Sequence, residues 1–168
     1  MTIFYCDYDY LYTMKRFLLV FVLFLLPVFC MAQKFPVKVV GVSDGDTFTG
    51  LNRDKLQIKF RIYGIDAPEK RQAFGKKSKE YLSQLIFGKD IVVDVQSQDG
   101  WGRYIAYVYT GDGEDVSLLM IRSGFAWHFA KYDSTQKYIE AEAYARSQRR
   151  GLWQDRNPEA PWEFRKKK

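Results

Sequence analysis

Cysteine is scarce in this chain: Cys6 and Cys30 are the only two among 168 residues, and both precede residue 33. A disulfide scaffold is therefore excluded for everything downstream, and stability there must come from an ordinary core. Histidine is scarcer still. His128 stands alone, and with no thiol near it the soft-ligand sets that hold zinc are excluded as well. No internal repeat or low-complexity segment occurs, which rules out a repeat array. No long hydrophobic run occurs after Gln33. The uncharged stretch from Phe17 through Gln33 is 17 residues, at the lower limit of what spans a bilayer.

That stretch has the form of a secretory signal peptide. Lys15-Arg16 precede it, Phe17 to Phe29 is mostly Leu, Val and Phe, and Cys30-Met31-Ala32 offers a small residue for cleavage after Ala32. The expected destination is the periplasm or the medium, with a membrane anchor by an uncleaved signal as the alternative. Pro27-Val28-Phe29 lacks the small residues that lipoprotein processing prefers. Met1 to Thr13 matches no part of a signal peptide, so Met14 is expected to be the true start. The chain thus divides into an N-terminal segment, 1–32, a folded domain, 33–155, and a basic tail, 156–168. Lys15 and Arg16 balance Asp7 and Asp9, so residues 33–168, domain and tail together, keep the whole excess of +6. Such an excess suits a polyanionic partner. Nothing calls for a protein partner, and a monomer is expected.

Val37 to Val42 reads as a strand closed by the turn dipeptide Asp44-Gly45, and Asp46 to Leu51 answers it. Leu56, Ile58, Phe60 and Ile62 then alternate with Gln57, Lys59, Arg61 and Tyr63, a half-buried strand that turns Arg61 away from the core. Ala73 to Phe87 has helical spacing, with Gly88 as its C-cap. Asp90 to Val95 and Arg103 to Tyr109 read as strands, and Val116 to Ser123 as a short helix. A longer helix is expected from Ser134 as N-cap to about Arg150. The fold class is mainly β with α: a five-stranded Greek-key barrel of the OB type with about three α-helices. The tail is expected on the surface or mobile.

Three short stretches carry chemistry. Asp44-Gly45-Asp46 alone is a turn, and no EF-hand, because Phe48 and Thr49 stand where that loop needs an oxygen ligand and a glycine. Asp66-Ala67-Pro68-Glu69 alone is a helix start or a turn. Together they are more: Asp46 and Asp66 follow strands that pair in a meander, so one hard cation could bridge them. Two carboxylates cannot fill a Ca²⁺ shell, which leaves room for a carbonyl, water and a phosphate. Arg61, and Arg103 in Asp99-Gly100-Trp101-Gly102-Arg103, add donors suited to a phosphate.

The order DGDT, RIYGIDAPE, DGWGR resembles the thermonuclease (staphylococcal nuclease-like) family, over about Phe35 to Trp153, and Pro161-Trp162-Glu163-Phe164-Arg165 is similar to the tails of secreted bacterial members. The resemblance implies an OB barrel with three helices and a Ca²⁺-dependent nuclease acting on DNA and RNA, single strands favoured. It implies cleavage of the P–O5′ bond to leave 3′-phosphates. It also implies Asp46, Asp66 and the Ala67 carbonyl as calcium ligands, although the family often has threonine at the last. The phosphate arginines would be Arg61 and Arg103, and the catalytic carboxylate Glu69. The resemblance also implies substrate-binding roles for Asp99, which matches an acidic residue of the third motif, and for Tyr132, which matches a base contact whose neighbouring tyrosine is here Ala130.

Other features have plainer readings. His128, between Trp127 and Phe129, is expected to pack at the core edge. Lys76, Lys77 and Lys79 read as a solvated helix face, and Tyr104, Tyr107 and Tyr109 as strand residues. Two rival readings remain: a non-catalytic nucleic-acid-binding OB module, and an envelope structural domain. Retention of all five polar residues opposes the first. The second leaves them unexplained.

Overall fold

The computed structural model describes residues 33–167. The expected signal peptide, its cleavage site and the start at Met14 lie outside these residues. Strand β3 (Gln57–Ile62) shows why the alternation matters: Phe60 and Ile62 are buried, while Arg61 points outward. Its neighbours are β2 (Thr47–Leu51), antiparallel, and β6 (Tyr104–Tyr109), parallel. Strands β1 (Gln33–Val42) and β5 (Asp90–Gln98) complete a closed barrel in the order β1-β2-β3-β6-β5. The expected barrel is what forms.

The first strand does double duty. Residues 33–38 pair with β5 and residues 38–42 with β2, and the register shifts between Val39 and Gly41. A bulge of this kind bends a strand enough to serve two neighbours and close a small barrel. It starts earlier than the expected Val37, because pairing with β5 extends it. A second, two-stranded sheet joins β4 (Ile65–Asp66) to β7 (Trp127–His128).

Phe48 and Phe60 stack at 5.2 Å inside the barrel, among Val37, Val39, Ile91, Val93 and Val108. The same cluster takes in Leu82 and Ile86 of α1 (Gly75–Ile86), and Val116, Met120 and Ile121 of α2 (Val116–Arg122). Helix α3 (Gln136–Ser147) contributes the fully buried Tyr138, whose hydroxyl donates to Asp115 at the start of α2. This helix begins after Thr135 rather than Ser134. Asp133 accepts both the Thr135 N–H and its hydroxyl, so the carboxylate two residues upstream organises the start. Lys76 and Lys77 are exposed, as a solvated face requires, while Lys79, expected with them, is half-buried.

The tail lies at the surface, as expected, and it is also anchored. A 3₁₀ turn, Gly151–Gln154, leads to a fourth helix, α4 (Pro161–Lys166), which opens with proline at its first position. Trp162 meets Trp127 edge-on at 5.5 Å and stacks on Phe129 at 5.4 Å. Ala160 and Pro161 are buried, so this segment is docked, not free. Nearby, the Arg146 guanidinium lies 3.8 Å over Trp153 and 4.9 Å over Trp127. Aromatic area and a cation over π faces replace the hydrophobic stripe that a sequence reader looks for.

Phe60→Ala is expected to lower stability by about 3–5 kcal/mol, the usual loss for emptying a core aromatic site. Urea denaturation of the purified protein measures it, and a loss below about 1 kcal/mol would place the ring outside the core.

Candidate active site

Register brings the key residues to one rim of the barrel. Thr47 lies opposite Arg61, and Tyr104 opposite Phe60, so Asp46 and Arg103, each one residue before its strand, flank Arg61. The turn at Gly64, whose φ of 77° favours glycine, sends the chain straight into β4 and brings Asp66 to the same rim. Gly45 has no room for a side chain. A Cβ there would collide with Ser78 and Ala67, so the turn carrying Asp44 and Asp46 packs hard against α1.

At the centre Arg61 joins the two aspartates. Its Nη1 donates to Asp46 Oδ1 at 2.8 Å and its Nη2 to Asp66 Oδ1 at 2.9 Å. Asp46 is satisfied further by the Thr47 hydroxyl at 2.9 Å and the Ala67 N–H at 3.0 Å. Arg61 is only 18% exposed and Asp66 is fully buried. Burial pulls the Arg61 guanidinium down, but the charges of Asp46 and Asp66 outweigh it and hold its pKa above the ordinary value. Asp44 is also shifted upward, but for a carboxyl that favours the neutral form. Burial, then the neighbouring Asp46 charge, pushes its carboxyl up from 3.8 to about 6.

Arg103 approaches from β6. Its Nη1 lies 3.4 Å from the Thr47 hydroxyl, and its Nε donates to Asp99 Oδ2 at 2.8 Å. Asp99 Oδ1 also accepts the N–H groups of Trp101 and Arg103. Burial works against the Asp99 carboxylate, but these bonds outweigh it and hold its pKa below the usual range. The geometry gives Asp99 the task of orienting Arg103. Glu69 sits where the chain turns toward α1: Gln72 accepts its N–H and donates to its carbonyl, while the Gln72 amide reaches Glu159 at 2.7 Å. Tyr132 is 59% exposed, and its carbonyl accepts the Tyr63 hydroxyl. His128 packs as expected, buried, with its ring nitrogen 3.1 Å from Asp133.

An open cleft of about 1030 Å³ collects Asp46, Arg61, Ala67, Glu69, Asp99, Arg103 and Tyr132 on its walls. Of the expected site residues only Asp66 is absent from the wall, because it lies beneath the arginines. Among the other residues lining the cleft, Asp44, Tyr63, Trp101 and Arg165 bear polar or aromatic groups and received no role from sequence. Trp101 is 87% exposed at the turn before Arg103. Arg165, from α4, donates to Asp66 Oδ2 at 2.6 Å and Oδ1 at 3.2 Å, and to Glu69 Oε1 at 2.9 Å. The Pro161-Trp162 helix start was the available signal for it.

Among the described residues, no three of His, Cys, Asp and Glu gather as a ready-made metal site. The donor set nevertheless fits a hard cation with an open shell. The oxygens of Asp46 and Asp66 converge on one positive group, and a guanidinium already stands in as cation against Asp66.

The closed barrel thus gathers carboxylates and arginines at one rim. The chain belongs to the staphylococcal nuclease homologue family, whose family model matches residues 59–155. That match holds Arg61, Asp66, Glu69, Asp99, Arg103 and Tyr132, and leaves Asp46 and Arg165 on either side. The chain is similar to an uncharacterized endonuclease of Haemophilus influenzae, 39% identical over 82% of this chain and 76% of that one. It is also similar to an uncharacterized endonuclease of Escherichia coli O157:H7, 36% identical over 92% of this chain and all of that one. A staphylococcal-like nuclease of Arabidopsis thaliana is 40% identical over 70% of this chain but only 36% of its own length.

Arg61→Gln is expected to destabilise the metal-free protein by about 3–5 kcal/mol, the range for breaking one side of a buried ion pair. Thermal and urea melts in chelator report it. Unchanged stability would mean that Asp46 and Asp66 are held apart without the guanidinium.

Proposed function

We propose that this protein is an exported, Ca²⁺-dependent nuclease that hydrolyses phosphodiester bonds of DNA and RNA, breaking the P–O5′ bond and leaving 3′-phosphates. The observation that carries this reading is the convergence of Arg61, Arg103 and Glu69 on one cleft, with Asp46 beside them and Asp66 beneath. The endonuclease names of its bacterial relatives support it. The +6 excess suits the substrate.

Each residue has a task. Arg103, braced by Asp99, donates to phosphoryl oxygens, and donors fixed in this way favour the more highly charged transition state. Arg61, expected to contact phosphate, has both terminal nitrogens on Asp46 and Asp66, and in this reading it stands behind Arg103 and holds them in register. Glu69 accepts a proton from the attacking water as its oxygen bonds to phosphorus. The P–O5′ bond breaks, and the departing oxygen takes its proton from solvent. Asp46 and Asp66, with the Ala67 carbonyl, would hold Ca²⁺, and the bound ion supplies Lewis-acid relief of phosphate charge. Trp101 and Tyr132, exposed at the cleft edge, offer ring faces to unpaired bases, which favours single strands.

Incubation of the purified protein with single-stranded DNA and RNA, in Ca²⁺ or in chelator, tests this. Degradation is expected only with Ca²⁺, and Glu69→Gln is expected to lower turnover by about 10²–10⁴-fold. No degradation under either condition would remove the enzyme reading and leave a binding module.

A further inference from the structure

We propose that Arg165 is a tethered cation that holds Asp66 and Glu69 in place until a divalent metal ion takes its position. The inference rests on the calcium-dependent reading above. Arg165 makes three bonds, two to Asp66 and one to Glu69, so one guanidinium engages both a candidate metal carboxylate and the candidate base. Asp66 is fully buried, and its Oδ2 is engaged by Arg165. A cation reaching Asp66 from the cleft would meet a like charge at contact distance. The two occupants therefore exclude one another.

The two arginines differ in how they are held. Arg61 extends from a barrel strand, 18% exposed, with both aspartates as partners, and is a fixture of the fold. Arg165 extends from the surface helix α4 and is 39% exposed. Its helix is anchored elsewhere, through Trp162 on Trp127 and Phe129 and through Gln72 on Glu159. A long side chain can thus swing off Asp66 while the helix stays docked. Leaving Asp66 and Glu69 frees one carboxylate for the metal ion and the other for water. Arg165 already lines the open cleft, which gives the side chain room to move.

The test is calorimetric titration of Ca²⁺ alone into the full chain, comparing wild type with Arg165→Gln and Arg165→Lys. The Gln variant should bind Ca²⁺ about five-fold or more tightly than wild type, the lower end of ordinary coupling between two ligands. In chelator it should also melt at a lower temperature, because Asp66 loses a partner. The Lys variant keeps a positive charge and should bind Ca²⁺ less tightly than the Gln variant. Equal or weaker Ca²⁺ binding by the Gln variant would overturn the exchange and leave the calcium reading standing. No Ca²⁺ binding by wild type or either variant would overturn both.

Discussion

The rim of this barrel depends on one guanidinium. Asp46, in the turn before β2, and Asp66, in β4, are both buried, so each would be costly to leave charged without a partner. Arg61 bonds to both and lets them stand close together. The outward register of β3 puts it there, because Phe60 and Ile62 on either side face the core. Burying two apolar residues thereby aims the arginine. The site's electrostatics is a by-product of barrel packing, and it cannot drift without unpicking the strand.

A second group of interactions prepares the residues that face the cleft. Asp99 closes the turn before β6 on its own backbone and holds Arg103 by its Nε. Thr47 bridges Asp46 and Arg103 through one hydroxyl. Gln72 ties the Glu69 turn to the approach to α4. Preorganised donors of this kind need little rearrangement when an anion arrives, which is where most electrostatic stabilisation originates. The tail helix therefore belongs to the site's support as well as to the surface.

Much of this was legible in the order of residues. The period-two pattern from Leu56 to Tyr63 put Arg61 on the polar face, and the turn dipeptides located the strand ends where the carboxylates sit. What stayed hidden was hidden for physical reasons. The bend in β1 comes from serving two neighbours, which no local pattern records. The start of α3 is set by Asp133 from outside the helix. The role of α4 rests on aromatic rings from Trp127 and Phe129 meeting Trp162, contacts without periodicity. A charged, proline-bearing tail reads as solvated when those partners are out of view.

The parallel pairing of β3 with β6 has a consequence for the order in which the molecule acquires its shape. It joins Phe60 to Tyr104 with α1 and β5 lying between them, while the neighbouring pairs are antiparallel. Non-local pairings carry the loop-closure penalty before any contact rewards it, and they slow folding. The β1-β2-β3 meander can form locally, with Asp46 and Arg61 already adjacent. Arg103 joins them only when the barrel closes. A chain in which only this meander has formed therefore has Asp46 beside Arg61 and lacks Arg103 at the rim.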